Sequence, residues 1–226
     1  MTAARIEQCF AACRAQGRPA LIIYLTVGDP SVDDSLACAL AALAAGADIL
    51  ELGVPFSDPS ADGPVIAAAS QRAIRSGGSL RKALEVAGRI REESAAPLVL
   101  FSYVNPLIAF GEEQLPKALA AVGVLVLGGA QGFVYYVSST GVTGLGDAPL
   151  AAAAARARAI AGRSSLPVVV GFGVDGPEKA QILARAGVDG VVVGSAIVKA
   201  IAAAQGRPAR VNAVTALVAS LRNALV

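Results

Sequence analysis

Short apolar runs alternate with alanine-rich helical stretches along the whole chain, and this pattern predicts repeated strand–helix units around a parallel sheet. Seven runs have the length and β-branched content of strands. We predict strands at residues 20–26, 48–53, 97–103, 122–127, 133–137, 167–171 and 190–195. We predict helices at residues 3–16, from Ser31, at 66–75, 80–93 and 112–121, from Pro177, and from about 208.

The order of these elements predicts an α/β fold of the TIM (β/α)8-barrel type, formed by a single domain over residues 1–226. A complete barrel needs eight strands, whereas the pattern offers seven. The runs at 122–127 and 133–137 are joined only by GGAQG, which is too short for a crossover between parallel neighbours. Either the two runs form a hairpin-like kink or residues are missing between 121 and 132.

Composition agrees with a buried parallel sheet and argues against several partner classes. The chain is 55% hydrophobic and 16% charged, and its net charge of +2 is spread without a run of one sign, so we expect no nucleic-acid or membrane partner. Residues 118–146 carry no charge, but their glycines and Gln131 favour buried strands over a membrane span. The N-terminus has no signal-peptide core, and we expect a cytoplasmic protein.

Cysteine and histidine content narrows the possible chemistry. The chain has three cysteines and no histidine, which suits a reducing compartment and leaves acid–base work to carboxylates, Lys or Tyr. Cys9 and Cys13 lie four residues apart on one helical face, a spacing more typical of packing than of metal binding without histidine ligands. We therefore predict no metal site.

The most informative segment is LELGVPFSDPSADGP, which begins in the second predicted strand. Alternation predicts that Leu50 and Leu52 face the outer helices, so that Ile49 and Glu51 face the barrel interior. Burial of Glu51 near the carboxyl end of a barrel strand would raise its pKa, as a general acid or base requires. The alternative is a structural glutamate paired with an arginine.

Two further acids follow in the loop after this strand. Asp58 and Asp62 could each contact a substrate N–H or satisfy backbone donors of the loop, and the residues alone leave both roles open.

Glycine-rich turns follow the last predicted strands. SSTGVTGLG, GFGV and VVVGSA each bring backbone N–H groups to the carboxyl end of a strand, where they can approach a phosphate. Together they predict a phosphorylated substrate, because TIM barrels commonly bind phosphate at this position.

These segments, with YLTVGDPS, FSYVNPL and VYYVSSTGVTG in the same order, resemble the tryptophan synthase alpha subunit family. The resemblance implies a lyase of amino-acid biosynthesis, which cleaves indole-3-glycerol phosphate by a retro-aldol reaction to indole and glyceraldehyde 3-phosphate. It implies the following site: Glu51, Asp62 and Tyr135 as catalytic residues, Tyr24, Phe101 and Thr143 as substrate-binding residues, and Gly144, Gly173, Gly194 and Ser195 around the phosphate.

The resemblance also implies a partner. This chain would need no cofactor of its own, and it would pair with a beta subunit that carries pyridoxal phosphate in an alpha2-beta2 complex. The loop that carries Asp58 would lie at the interface.

The family pattern is interrupted between residues 121 and 132, where about one and a half βα units are absent. Three explanations stay open: a stretch missing from the sequence, a truncated inactive product, or a smaller barrel. We favour a missing stretch or an artificial deletion over a natural, functional smaller barrel, because an open barrel edge exposes unpaired strand groups. Two other functions therefore stay open, a non-catalytic subunit that binds or regulates a beta partner, and another phosphate-sugar barrel enzyme.

Overall fold

The computed structural model describes residues 2–124, 132–136, 147–171 and 173–226. Its strands are β1 (Ala20–Thr26), β2 (Ile49–Gly53), β3 (Leu98–Phe101), β4 (Val134–Tyr136), β5 (Val168–Val170) and β6 (Gly190–Val193). Its helices are α1 (Thr2–Ala15), α2 (Val32–Ala44), α3 (Pro64–Arg75), α4 (Leu80–Glu93), α5 (Val104–Phe110), α6 (Gln114–Val122), α7 (Asp147–Ala161), α8 (Pro177–Arg185), α9 (Ser195–Ala203) and α10 (Arg207–Ala224). Within these residues, no helix combines the length and apolar character needed to cross a bilayer.

The six strands form one parallel sheet in the order β3-β2-β1-β6-β5-β4. The sheet is curled, because residues from its two outermost strands meet across the interior. The rings of Phe101 at the end of β3 and Tyr135 in β4 have centroids 6.4 Å apart. The predicted TIM-type barrel class is confirmed, in the shortened form that the sequence indicated.

Side chains alternate across the sheet as a two-residue period requires. Leu50 and Leu52 of β2 belong to the outer hydrophobic cluster, which lies between the strands and the surrounding helices. Ile49 belongs to a separate inner cluster. The predicted orientation of β2 is therefore confirmed, and Glu51, two residues after Ile49, faces inward.

Helix α1 closes the amino-terminal end of the curled sheet. Its buried side chains Ile6, Phe10 and Cys13 form one cluster with inward-facing residues of β1, β2, β3, β5 and β6 and with the residue just before β4: Ala20, Ile22, Ile49, Val99, Val169, Val192 and Phe133. The Phe10 and Phe133 rings meet edge to face with centroids 5.9 Å apart. This end of the interior is therefore filled by an apolar plug.

A partly buried ion cluster joins the loop after α1 and the last helix, α10, to the sheet. The Asp48 carboxylate, just before β2, accepts hydrogen bonds from Arg18 Nη1 at 2.7 Å, from Arg222 Nη1 at 3.0 Å and from the Leu21 N–H at 2.8 Å. The paired guanidinium groups neutralise a carboxylate that would otherwise be costly to bury.

Arg91 of α4 anchors the chain where the sequence is shortened. Its guanidinium donates to the carbonyl oxygens of Ser94 at 2.9 Å, Ala96 at 2.8 Å and Gly123 at 3.3 Å. Gly123 has φ 60° and ends α6 as a left-handed cap, a conformation that suits glycine.

The predicted strand at 122–127 is wrong at its beginning. Val122 is the last residue of α6, and the left-handed Gly123 terminates the helix instead of opening a strand. Residues 125–127 lie outside the described residues. The run predicted at 133–137 forms β4 over Val134–Tyr136, and Val137 lies outside the described residues.

Several element boundaries differ from the prediction. Strand β3 ends at Phe101 rather than at Tyr103, because the chain turns there into the short helix α5, which the sequence analysis did not predict. Ser31 caps α2 as predicted, accepting a hydrogen bond from the Asp34 N–H. Division into a single domain stays a prediction.

Candidate active site

A cavity of about 730 Å³ lies at the carboxyl ends of the strands, opposite the α1 plug. Its lining comes from the strand ends and from the loops that follow β2, β3, β5 and β6. Eight of the ten predicted site residues line this cavity: Tyr24, Glu51, Asp62, Phe101, Tyr135, Gly173, Gly194 and Ser195. Thr143 and Gly144 lie outside the described residues.

Glu51 is the most deeply buried acid of the cavity. The residue is only 1% exposed, and burial raises the pKa of its carboxyl to about 8. Among the described residues, no group donates a hydrogen bond to it and no arginine or lysine pairs with it. The structural alternative, a glutamate paired with an arginine, is therefore not found in the described part of the chain. A carboxyl in this environment is protonated at neutral pH and can donate a proton.

Asp62 stands in a different environment at the cavity mouth. It is half-buried, and its Oδ2 accepts a hydrogen bond from the Tyr103 hydroxyl at 3.1 Å. Burial raises the pKa of Asp62, whereas the Tyr103 hydrogen bond lowers it. Asp58, by contrast, is exposed and is not among the residues of the cavity lining.

Three aromatic side chains form the inner wall of the cavity. The Tyr24 and Phe101 rings meet edge to face with centroids 5.7 Å apart, and Phe101 continues the contact to Tyr135. The Tyr24 hydroxyl lies 3.3 Å from Thr26 Oγ1, and the Tyr135 hydroxyl donates to the Gly171 carbonyl oxygen at 3.1 Å. Burial raises the pKa of both phenols, so both remain protonated and neutral.

Glycines make room for these rings. A Cβ at Gly53 would overlap the Tyr24 phenol, and a Cβ at Gly171 would overlap the Tyr135 phenol. Both glycines occupy inward-facing positions, Gly53 as the last residue of β2 and Gly171 directly after β5, so larger residues there would collide with the phenols.

The glycine-rich turns after β5 and β6 border the same cavity. Gly173 has φ 73°, and no atom of the described residues lies within 4 Å of a Cβ placed on it. Gly194 precedes α9, whose amino-terminal N–H groups begin at Ser195. A helix amino terminus beside two glycines offers backbone donors to an anion.

Tyr103 is a cavity residue that the sequence analysis missed. Its hydroxyl accepts a hydrogen bond from the Ala61 N–H at 3.0 Å, in addition to its bond with Asp62. It lies in the quoted FSYVNPL segment, but nothing in the local spacing connects it with a loop 41 residues earlier.

A second group of titratable side chains lies at the plugged end. Ligand atoms of Cys9, Cys13 and Asp48 lie within 4.8 Å of one another, a geometry that could hold a metal ion. Asp48 is also bonded to Arg18 and Arg222, whose positive charges disfavour a cation there. The absence of a metal site stays a prediction.

Comparison with known proteins identifies relatives that match most of this chain. A sequence profile of the family described as "Tryptophan synthase alpha chain" matches residues 10–128 and 124–226. The tryptophan synthase alpha chain of Citrifermentans bemidjiense is 41% identical over 243 aligned positions, covering 89% of this chain and 91% of the relative. That of Alkalilimnicola ehrlichii is 39% identical, covering 94% and 92%.

The two profile matches meet at residues 124–128, and the alignment of 243 positions is longer than the 226 residues of the chain. The gap that this length requires agrees with the predicted shortening between residues 121 and 132.

Solved structures agree in fold. A structure of Mycobacterium tuberculosis tryptophan synthase superposes with a TM-score of 0.83 at 31% identity, and 98% of each chain is covered. Tryptophan synthase subunit alpha from Legionella pneumophila gives a TM-score of 0.80 at 26% identity, again with 98% of each chain covered. The resemblance inferred from the motifs is thus confirmed by sequence and by structure, and the chain belongs to the tryptophan synthase alpha chain family.

Proposed function

We propose that this chain is a lyase that cleaves indole-3-glycerol phosphate to indole and glyceraldehyde 3-phosphate in tryptophan biosynthesis. The observation that carries the proposal is the Glu51 carboxyl, buried and without a hydrogen-bonding partner among the described residues, in the cavity that Asp62 also lines. Family membership supports the same activity. It also argues against another phosphate-sugar barrel enzyme.

The proton transfers are assigned to Glu51. Because its pKa is about 8, the carboxyl is protonated at neutral pH and can first protonate C3 of the indole ring. The bond between C3 and the hydroxyl-bearing side-chain carbon then breaks, and its electron pair returns to the ring. The hydroxyl oxygen becomes the aldehyde oxygen, and its proton passes to the Glu51 carboxylate, which restores the acid.

Asp62 would stabilise the intermediate. Protonation of C3 places positive charge on the ring nitrogen, and a carboxylate that accepts the indole N–H favours that charge. Burial raises the pKa of Asp62, and the Tyr103 hydrogen bond opposes that rise and so favours the charged form. One neutral acid and one charged acid in different environments can divide the work in this way.

The remaining predicted residues bind the substrate. Tyr24 and Phe101 would flank the indole ring, with Tyr135 beside them. Gly173, Gly194 and the amino terminus of α9 at Ser195 would hold the phosphate through backbone N–H groups. Thr143 and Gly144 would belong to a loop over the substrate, an assignment that rests on the family resemblance alone.

A beta subunit is the proposed partner, in an alpha2-beta2 complex in the cytoplasm. Support comes from α5 at the cavity mouth, where Val104 and Ile108 are 61% and 59% exposed on one helical face. Exposed Asp58 lies in the loop after β2, whose residue Ala61 bonds to Tyr103 at the start of α5. The beta subunit would supply pyridoxal phosphate, and this chain would act without a cofactor.

The test is indole release from indole-3-glycerol phosphate by the purified chain, with Glu51→Gln as the matched variant. Gln preserves shape but cannot carry the proton, and we expect a loss of roughly 100- to 10,000-fold in kcat. Equal turnover by both proteins would refute the assignment of Glu51. No indole from the unaltered chain would refute the lyase function.

A non-catalytic subunit is the second candidate, and the shortened region after residue 124 favours it. It predicts that the chain co-purifies with a beta subunit of this family while releasing no indole. Failure to bind the beta subunit would remove this candidate.

A further inference from the structure

Tyr103 joins two loops at the mouth of the cavity. The residue precedes α5 in the loop after β3, and it contacts the loop after β2 through two hydrogen bonds of its hydroxyl. The Ala61 N–H donates to Tyr103 Oη at 3.0 Å, and Tyr103 Oη donates to Asp62 Oδ2 at 3.1 Å. Both partners are adjacent residues of one loop, so one phenol oxygen fixes the backbone and the side chain together.

The first of these bonds determines the direction of the second. A backbone N–H can only donate, so it occupies a lone pair of the phenol oxygen and directs the phenol proton elsewhere. Asp62 Oδ2 is the acceptor within reach. No described residue donates to the other carboxylate oxygen, Oδ1, which is left available to a substrate donor at the cavity.

The phenol ring is itself held in place. It stacks on Phe56 with ring centroids 5.1 Å apart and an interplanar angle of 33°. The backbone of Tyr103 is the amino-terminal cap position of α5. Packing on one side and helix geometry on the other therefore limit the movement of the hydroxyl.

The other cavity tyrosines do not share this arrangement. The Tyr24 hydroxyl is next to Thr26, and the Tyr135 hydroxyl is bonded to a backbone carbonyl oxygen. Among these three tyrosines, Tyr103 is the one whose hydroxyl bonds to Asp62, the carboxylate proposed to accept the substrate N–H.

We infer that Tyr103 is a positioning residue, which orients Asp62 so that one carboxylate oxygen accepts the substrate N–H while the other is held by the phenol. This inference rests on the proposed function for the role of Asp62. Tyr103 acts through Asp62 and takes no part in proton transfer to the substrate.

The decisive variant is Tyr103→Phe, which removes the hydroxyl and keeps the ring on Phe56. Tyr136→Phe is the matched control, because Tyr136 faces the outer helices and is not among the cavity residues. Loss of a hydrogen bond to a charged group predicts a roughly ten- to hundredfold fall in kcat/KM for Tyr103→Phe and no change for the control.

A double-mutant cycle separates positioning from general structural damage. If Tyr103 acts through Asp62, adding Tyr103→Phe to Asp62→Asn causes little further loss. Independent, multiplying losses would overturn the inference. Wild-type kcat/KM in Tyr103→Phe would overturn it as well.

A titration independent of turnover separates this inference from the proposed function. In protein labelled with 13C at aspartate carboxyls, the Asp62 signal is assigned by its loss in Asp62→Asn. Because the Tyr103 bond lowers the pKa of Asp62, we expect that pKa to rise in Tyr103→Phe. The other titratable groups that line the cavity, Tyr24, Glu51 and Tyr135, are unchanged in the variant.

An unchanged Asp62 pKa would overturn the inference even if the chain is an active lyase. A raised pKa in a chain that releases no indole would support the hydrogen bond, while the proposed function would fail.

Discussion

The two ends of the barrel interior use the same strands for opposite purposes. Towards the α1 plug the inward side chains are aliphatic, and two residues further along the same strands they become polar, aromatic or absent. Ile22 is followed by Tyr24, Ile49 by Glu51, Val169 by Gly171 and Val192 by Gly194. One two-residue step along a strand thus separates the apolar plug from the cavity, so residues that stabilise the fold and residues that line the site are close neighbours in one sheet.

The largest expected effect on stability comes from Glu51, because this titratable side chain of the site is buried. Its pKa in the folded state, about 8, lies above its ordinary value of 4.5, so the native state retains a proton that the unfolded chain releases. Stability is therefore full below about pH 4.5 and is lost as pH rises to about 8, by roughly 5 kcal/mol at most. Glu51→Gln lacks this loss.

Denaturant unfolding of both proteins between pH 5 and 8 checks this prediction. We expect the free energy of unfolding of Glu51→Gln to exceed that of the unaltered chain by a margin that grows with pH. A constant margin would mean that Glu51 is not a proton-retaining acid.

Phe10→Ala tests the plugged end. Phe10 is 3% exposed and contacts Phe133, so its truncation should lower the free energy of unfolding by about 3 to 5 kcal/mol. The kcat/KM of the molecules that remain folded should be unchanged, because α1 lies opposite the cavity. Exposed Glu7 of the same helix provides the control, and Glu7→Ala should be neutral. A large fall in kcat/KM at full folding would show that the two ends are coupled.

Gly194→Ala tests the open end and has the smallest expected effect. The added Cβ would lie 3.3 Å from Tyr24 Cδ1, beside the proposed phosphate site. We expect KM to rise about tenfold, which corresponds to about 1.4 kcal/mol, with little change in unfolding free energy. Gly162→Ala, at an exposed position after α7, is the matched control for unfolding and KM. An unchanged KM would argue against a phosphate at Gly194.

The part of the fold that sequence could predict is the part governed by local periodicity. The two-residue period of β2 predicted that Glu51 faces inward, because strand geometry leaves only two directions for a side chain. The glycine turns at Gly173 and Gly194 were predicted from their place after apolar runs. In both cases the position of the residue follows from its immediate sequence neighbours, through strand alternation for Glu51 and through the end of a strand for the glycines.

Helix α5 could not be predicted in this way. Six of its seven residues, VNPLIAF, are apolar and none is buried, so the segment lacks the one-sided pattern by which helices are recognised. Pro106 in its first turn is compatible with a helix but equally suggests a loop. Without the helix, the preceding strand was extended to Tyr103.

The bond between Tyr103 and Asp62 was missed for a different reason. It joins residues 41 positions apart, and it exists only because β2 and β3 are neighbours whose loops emerge on the same side. Contacts of this kind follow from tertiary arrangement and have no signature in spacing.

The anchoring of Gly123 by Arg91 has a consequence for the shortened region that follows it. The Arg91 guanidinium bonds to the carbonyl oxygens of Ser94, Ala96 and Gly123, all of which precede residue 124. These hydrogen bonds therefore do not depend on the residues that follow. Insertions or deletions beyond this point would leave β1, β2 and β3, with Glu51 and Asp62, where they are. The shortened region after Val124 thus begins where the preceding strand–helix units, with their pair of acids, are already held by contacts of their own.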